Sequence, residues 1–282
     1  MNVRETASRA NTLGLCVVPV REDGSKAPDV GLWTELQRRR PTDSELKRWF
    51  PKEPERAGLG FICGAVSGGL ELFEFDDPAA IIAFKQLADA AGLGSLWRRL
   101  EMGYSEETPG GGCHWLYKVP EPLGNTKLAS KPCEGCSKHQ VGQAHVLVES
   151  RGEGGFVVVA PSGGSTHPSG RPYVLRAGGL ETIPILTVEE RDELWALARS
   201  LDEMPRPEPI PDVRGDRATD GTRPGDVYSA QASWSDVLEP HGWKHVHRRG
   251  GEDYWRRPGK GQGISATTNY HDSDLLYVFS TS

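Results

Sequence analysis

The chain has no run of about 18 apolar residues, which excludes a membrane-spanning helix read from hydropathy. Its first residues, Met1-Asn2-Val3-Arg4-Glu5, lack the apolar core of a signal peptide, so a cytoplasmic protein is expected. Cysteine is scarce and odd in number, five in 282 residues, which argues against a disulfide framework and for a reducing compartment. Excess positive charge is also missing. Lys and Arg number 33 against 39 Asp and Glu, a net of −6, so the total charge advertises no nucleic-acid partner. What is present fits an ordinary globular protein, with 37% hydrophobic and 26% charged residues. Glycine (34) and proline (21) are a fifth of the chain, which predicts many turns and excludes a simple helix bundle.

The sharpest break in composition starts at Glu203, where prolines stand at 205, 207, 209 and 211. Such a segment is extended and forms neither a helix nor a central strand. The sequence therefore divides into a first domain over 1–202, a Pro-rich linker over 203–227 and a small basic, aromatic module over 228–282, expected to continue past residue 282. In the first domain helical and strand-like patterns alternate. Thr42-Asp-Ser-Glu45 and Thr187-Val-Glu-Glu190 are capping boxes that open helices, and Pro78 suits a helix first turn. Residues 15–20, 59–63, 70–75, 113–119, 144–149 and 156–160 read as strands, and short β-like segments follow a helix opened by Ser233. The expected class is α+β, with a mixed, largely antiparallel sheet and a small β-rich C-terminal module.

Three strand ends carry candidate chemistry. In Glu74-Phe75-Asp76-Asp77, alternation projects Glu74 and Asp76 together while Phe75 faces the core. Paired carboxylates repel each other and suit a hard cation such as Mg²⁺ or Mn²⁺; the bland alternative is a solvated strand end capping a helix. In Thr108-Pro-Gly-Gly-Gly-Cys-His114, Gly111 and Gly112 are expected to bring amide groups close to a phosphate, with His114 on the face opposite Trp115; a tight turn beside a half-buried histidine is the alternative. In Val146-Leu-Val-Glu149-Ser-Arg151, a third carboxylate ends a strand with an arginine on the same face, as a third metal ligand and a phosphate partner or as a simple ion pair.

Two further clusters stand out. Cys133-Glu-Gly-Cys136-Ser-Lys-His139 offers three ligands of a Zn²⁺ site, with His145 or Cys113 as the fourth, or else holds free loop cysteines. Cys16 and Cys63 fall in strands and read as core. Residues 241–263 hold Lys244, Arg248, Arg249, Arg256, Arg257 and Lys260 against Glu252 and Asp253, a local net of +4, with Trp243, Tyr254 and Trp255 among them. Cations interleaved with aromatics suit single-stranded nucleic acid; a β module with a basic face and buried tryptophans is the alternative.

In order and spacing these elements resemble the primase–polymerase (Prim-Pol) family of the archaeo-eukaryotic primase superfamily. The likeness rests on Glu74-x-Asp76, Gly111-Gly112-Cys113-His114, Glu149-x-Arg151 and Ala160-Pro161-Ser162. Upstream, Lys26-Ala27-Pro28, Trp33 and the stretch Gly64 to Leu70 add to it, so that it spans about residues 8–200. Glu74 stands where many members have Asp. The resemblance implies an archaeo-eukaryotic primase-like catalytic core that joins nucleotides on a single-stranded DNA template, in phage or plasmid replication within a bacterial or phage-infected cell. It implies that Glu74, Asp76 and Glu149 hold two Mg²⁺ or Mn²⁺ ions, that His114 and, more weakly, Arg151 hold the phosphates of a nucleoside triphosphate, and that a helicase domain follows downstream. Some relatives carry a zinc-binding insertion between the second and third acidic motifs. A two-metal nuclease and a non-catalytic single-stranded-DNA-binding initiator are the alternative functions.

Overall fold

A computed structural model describes residues 2–31, 33–135, 140–205, 232–270 and 273–279. Helix α1 (Val3–Thr12) starts at a capping box built by Asn2 and Glu5 and buries Val3, Ala7 and Ala10. Strand β1 (Cys16–Pro19) follows, then the short α2 (Trp33–Leu36), α3 (Asp43–Trp49), capped by Thr42 and Glu45, and β2 (Leu59–Ile62). The central run is β3 (Leu70–Phe75), α4 (Pro78–Ala90), α5 (Gly94–Gly103), β4 (Tyr104–Glu107), β5 (Cys113–Lys118), β6 (Thr126–Pro132), β7 (Ala144–Arg151) and β8 (Phe156–Val159). Strand β9 (Val174–Gly178) and helix α6 (Val188–Arg199), capped by Thr187 and Glu190, complete the first part. Beyond it lie α7 (Trp234–Leu238) and strands β10 (Lys244–Arg249), β11 (Glu252–Arg256), β12 (Ala266–Thr268) and β13 (Leu276–Val278).

Three sheets result: β1-β2-β8, the six-stranded β6-β7-β3-β5-β4-β9, and β10-β11-β12-β13. Every ladder between these strands is antiparallel, so the sheets are not mixed as expected; among the described residues the one parallel pairing is an isolated bridge, Lys118 to Ile185. Among the described residues no helix is long and apolar enough to cross a membrane.

The six-stranded sheet has two unlike faces. Alternation sends Phe73, Phe75, Trp115 and Tyr117 to the side covered by α4, α5 and α6. There Phe75 meets Phe73, Phe84 and Trp115 edge-on, with ring centroids 4.9, 5.1 and 5.3 Å away. Truncating Phe75 to alanine is expected to cost about 3–5 kcal/mol. The opposite side begins apolar, where Leu70, Leu72 and Leu116 pack with Cys16, Phe61, Ile62 and Cys63 from the three-stranded sheet. Further along the same strands that side turns ionisable and opens into a cleft.

The C-terminal sheet packs Trp255, Leu238 and Ala266 with Trp234 and Trp243 in its own small core. It docks on the first part through cations. The Arg256 guanidinium donates to the carbonyls of Ala91 (2.6 Å) and Gly263 (2.8 Å), and that of Arg249 to the carbonyl of Ser200 (2.7 Å) and to Glu203 (2.7 Å). Lys260 pairs with Glu193 at 3.6 Å. The basic aromatic segment is therefore not one open face. Three of its six cations serve the junction and Tyr254 and Trp255 are buried, while Lys244 and Arg248 stay exposed. Most of the segment read as a linker, residues 206–227, lies outside the described residues; Glu203 is hydrogen-bonded to the Ser130 carbonyl.

Candidate active site

Strand register builds the site. Glu74 on β3 lies directly opposite Glu149 on β7 and His114 on β5, and His114 lies opposite Glu106 on β4. Four ionisable residues thus form one row across four strands, in the order Glu149, Glu74, His114, Glu106. Directly opposite residues on one face have Cβ atoms about 4.5–5.5 Å apart, so their charges must interact. Asp76, two residues past Glu74, lines the same cleft of about 650 Å³, together with Lys26, Gly110, Arg151 and Tyr173. The strands thus bring Glu74, Asp76 and Glu149 to one cleft, with His114 on the face opposite Trp115.

His114 is held at both nitrogens. Nδ1 lies 2.7 Å from Glu106 Oε1 and Nε2 lies 3.2 Å from Glu74 Oε1. Glu106 is wholly buried, and its second oxygen accepts from the Tyr104 hydroxyl (2.7 Å) and the Ala160 amide (2.8 Å). Burial opposes a charged imidazole, yet the Glu74 charge and the hydrogen bonds to Glu106 and Glu74 outweigh it and lift His114 to about 10. Burial would likewise raise Glu74, but the charge and hydrogen bond of His114 pull it down to about 2. The remaining carboxylates go the other way. Burial and then the Glu74 charge raise Glu149 to about 7 against the pull of Arg151. The same two causes raise Asp76, opposed by His114, Lys26 and His145. Burial and the Glu74 charge thus hold two of the three cleft carboxyls above their ordinary values.

Three carboxylates are hard oxygen donors of the kind divalent Mg²⁺ and Mn²⁺ select. The donor set fits such ions. In the present arrangement Glu74 is turned to His114 and Glu149 to Arg151, and among the described residues no three His, Cys, Asp or Glu side chains form a ready cage. A larger cleft, about 790 Å³, lies between α6 and the C-terminal sheet; its lining balances Glu189, Asp192 and Glu193 against Arg199, Arg257 and Lys260.

The glycine turn has a different job from the one expected. The Gly111 and Gly112 amides are bonded inside the turn, to the Thr108 carbonyl (2.9 Å) and the Thr108 hydroxyl (3.1 Å), so they are not free for phosphate. Glycine at 112 is required by contact, since a Cβ there would sit 2.3 Å from the Phe75 carbonyl oxygen, beside Asp76. The Pro-Ser element is likewise a clamp. The Ser162 hydroxyl donates to the Leu59 carbonyl and accepts from the Leu59 amide, both at 2.9 Å. For the zinc reading, Cys133 is buried, while Cys136 and His139 lie outside the described residues. His145 lines the carboxylate cleft and Cys113 packs at the helix-side core.

Glu106 escaped the sequence reading altogether. It lies in Tyr104-Ser-Glu-Glu107, a polar stretch just after Gly103 at the end of α5, and only its register with His114 reveals it. Lys26 was noticed as part of a motif but given no place; it lines the cleft.

Residues 7–206 match the family described as the N-terminal domain of bifunctional DNA primase/polymerase. No curated protein matches the chain. The family match covers most of the chain, including every residue of the cross-strand row. The chain therefore belongs to the Prim-Pol family.

Proposed function

We propose that this chain catalyses template-directed nucleotidyl transfer on single-stranded DNA, as a primase/polymerase of phage or plasmid replication, on an archaeo-eukaryotic primase-like core. The observation that carries the reading is the row centred on Glu74, in which Glu149 stands directly opposite, Asp76 follows two residues on, and both carboxyls are raised by burial and then by the Glu74 charge. Glu74, Asp76 and Glu149 would hold two Mg²⁺ or Mn²⁺ ions. When bound, such ions lower the pKa of an attacking 3′-hydroxyl and neutralise charge on the triphosphate and the leaving pyrophosphate.

The protein's own groups then have distinct tasks. Glu106 fixes the His114 ring through Nδ1 and keeps it protonated. That leaves the Nε2–H, held by Glu74 here, as the donor for a phosphate oxygen of the incoming nucleotide. Arg151, beside Glu149, is a second cation for the same phosphates. Tyr173, its ring centroid 5.7 Å from that of His114, walls the phosphate end against water. Base choice would come from pairing with the template.

The test is direct. The full chain is incubated with a single-stranded template, labelled nucleotides and Mn²⁺ or Mg²⁺. Extended products are expected. A shortened template would indicate a nuclease, and a gel shift without turnover a binding module.

A further inference from the structure

Lys26 sits where a lysine is costly. Its φ is +58°, in the left-handed region that disfavours an L-residue with a Cβ. Among the described residues the other non-glycine residues at positive φ are Asn269 and Asp274, whose short polar side chains tolerate that region. Two positions earlier the same loop uses Gly24 at φ +77°, so glycine stands where no side chain is wanted. The loop is also pinned. Val20 bridges to Pro28, the Arg21 amide donates to the Ala27 carbonyl (2.9 Å), the Ser25 amide to Asp23 (2.9 Å), and the Gly24 amide to the Ser165 carbonyl (2.7 Å). A strained position over-determined by its surroundings points to a task for the side chain it carries.

That side chain lines the cleft of Glu74, Asp76, His114 and Glu149. The other cleft cations are engaged, Arg151 with Glu149 and His114 with Glu74 and Glu106, while His145 also has a partner. Among the described residues Lys26 ends in no ion pair, and its charge acts on Asp76 through space. An exposed ammonium over a cleft that takes a polyanion is a point-charge phosphate binder with three donors.

We propose that Lys26 binds a phosphate oxygen of the incoming nucleoside triphosphate, from the loop between β1 and α2. This rests on the nucleotidyl-transfer reading above. The test measures binding of a non-hydrolysable deoxynucleoside triphosphate with Mg²⁺, and of a single-stranded template, to the full chain and to Lys26→Ala, Lys26→Gly and Lys26→Arg. Lys26→Ala and Lys26→Gly should each weaken triphosphate binding about tenfold or more and leave template affinity unchanged. Lys26→Arg should recover most of the loss. Lys26→Gly should melt at or above the parent temperature, because glycine relieves the strained φ. Unchanged triphosphate affinity in both Lys26→Ala and Lys26→Gly would overturn the assignment of Lys26 alone. A loss of template affinity instead, or a loss of triphosphate affinity accompanied by a lower melting temperature in Lys26→Gly, would also overturn it. A parent protein that binds no triphosphate at all would overturn the nucleotidyl-transfer reading together with this one.

Discussion

Strand β3 carries two sunken glutamates, and they face opposite ways. Glu71 points to the helix side, where it accepts from the Tyr117 hydroxyl (2.6 Å), the Leu123 amide (2.7 Å) and Arg191 (3.2 Å), and Trp195 donates to the same Tyr117 oxygen at 3.1 Å. Glu74 points to the cleft side, beside one histidine and two more carboxyls. Glu71 has a donor for each of its oxygens and no acidic neighbour among these partners, so its network is closed. Glu74, held charged by His114, sits in an open cleft where burial and then its charge raise Asp76 and Glu149. A buried carboxylate with a donor at each oxygen holds the fold together, whereas carboxyls gathered in an open cleft are placed to meet a ligand.

The sharpest break of this comparison is an exchange of consequences. Asp76→Ala should lower nucleotide incorporation about a thousandfold or more while the melting temperature holds or rises, since it removes repulsion. Glu71→Ala should do the reverse. It takes from the buried Arg191 its buried carboxylate and leaves only the exposed Asp192, at a cost of about 3–5 kcal/mol in a denaturant titration. Incorporation per folded molecule should survive. A catalytic collapse in Glu71→Ala with full stability would erase the distinction.

A smaller effect belongs to Glu106. Glu106→Gln keeps the shape but removes the charge behind His114, and should raise the nucleotide KM about tenfold with little change in template affinity. His114→Ala should shift KM in the same direction and further. An unchanged KM in both would detach the row from nucleotide binding.

The smallest expected effect is on pH. Glu149 titrates at about 7 in the folded chain against an ordinary 4.5. A raised pKa means the folded state holds the proton more tightly. Its stabilising contribution is complete below 4.5 and is lost as pH rises through about 7. In metal-free buffer the melting temperature should drift down across that window, and Glu149→Gln should flatten the drift. An identical slope in the two proteins would contradict the raised value.

Local signals in the sequence placed much of this. The alternation of Leu70 to Phe75 assigned Glu74 to one face and Phe75 to the other, and β3 has those bounds. The capping boxes at Thr42, Thr187 and Ser233 all open helices. What was illegible is non-local. Helix α5 opens with no side-chain cap and with a glycine, so nothing announces it. Strands β4, β6 and β9 are polar or lie toward the sheet edges, where alternation fades, and with β4 went Glu106. The cations of 241–263 were counted correctly, but a count cannot tell that the Arg249 and Arg256 guanidiniums are aimed at carbonyls of the neighbouring part.

The claim on which the rest depends is that Glu74, Asp76 and Glu149 share divalent cations. Crystals of the full chain soaked with Mn²⁺ and a nucleoside triphosphate, measured at the manganese absorption edge, address it directly. The account predicts anomalous density between these three carboxylates, with Glu74 drawn off His114 and the triphosphate reaching toward Nε2. Manganese bound elsewhere, with the row from Glu149 to Glu106 undisturbed, would contradict it.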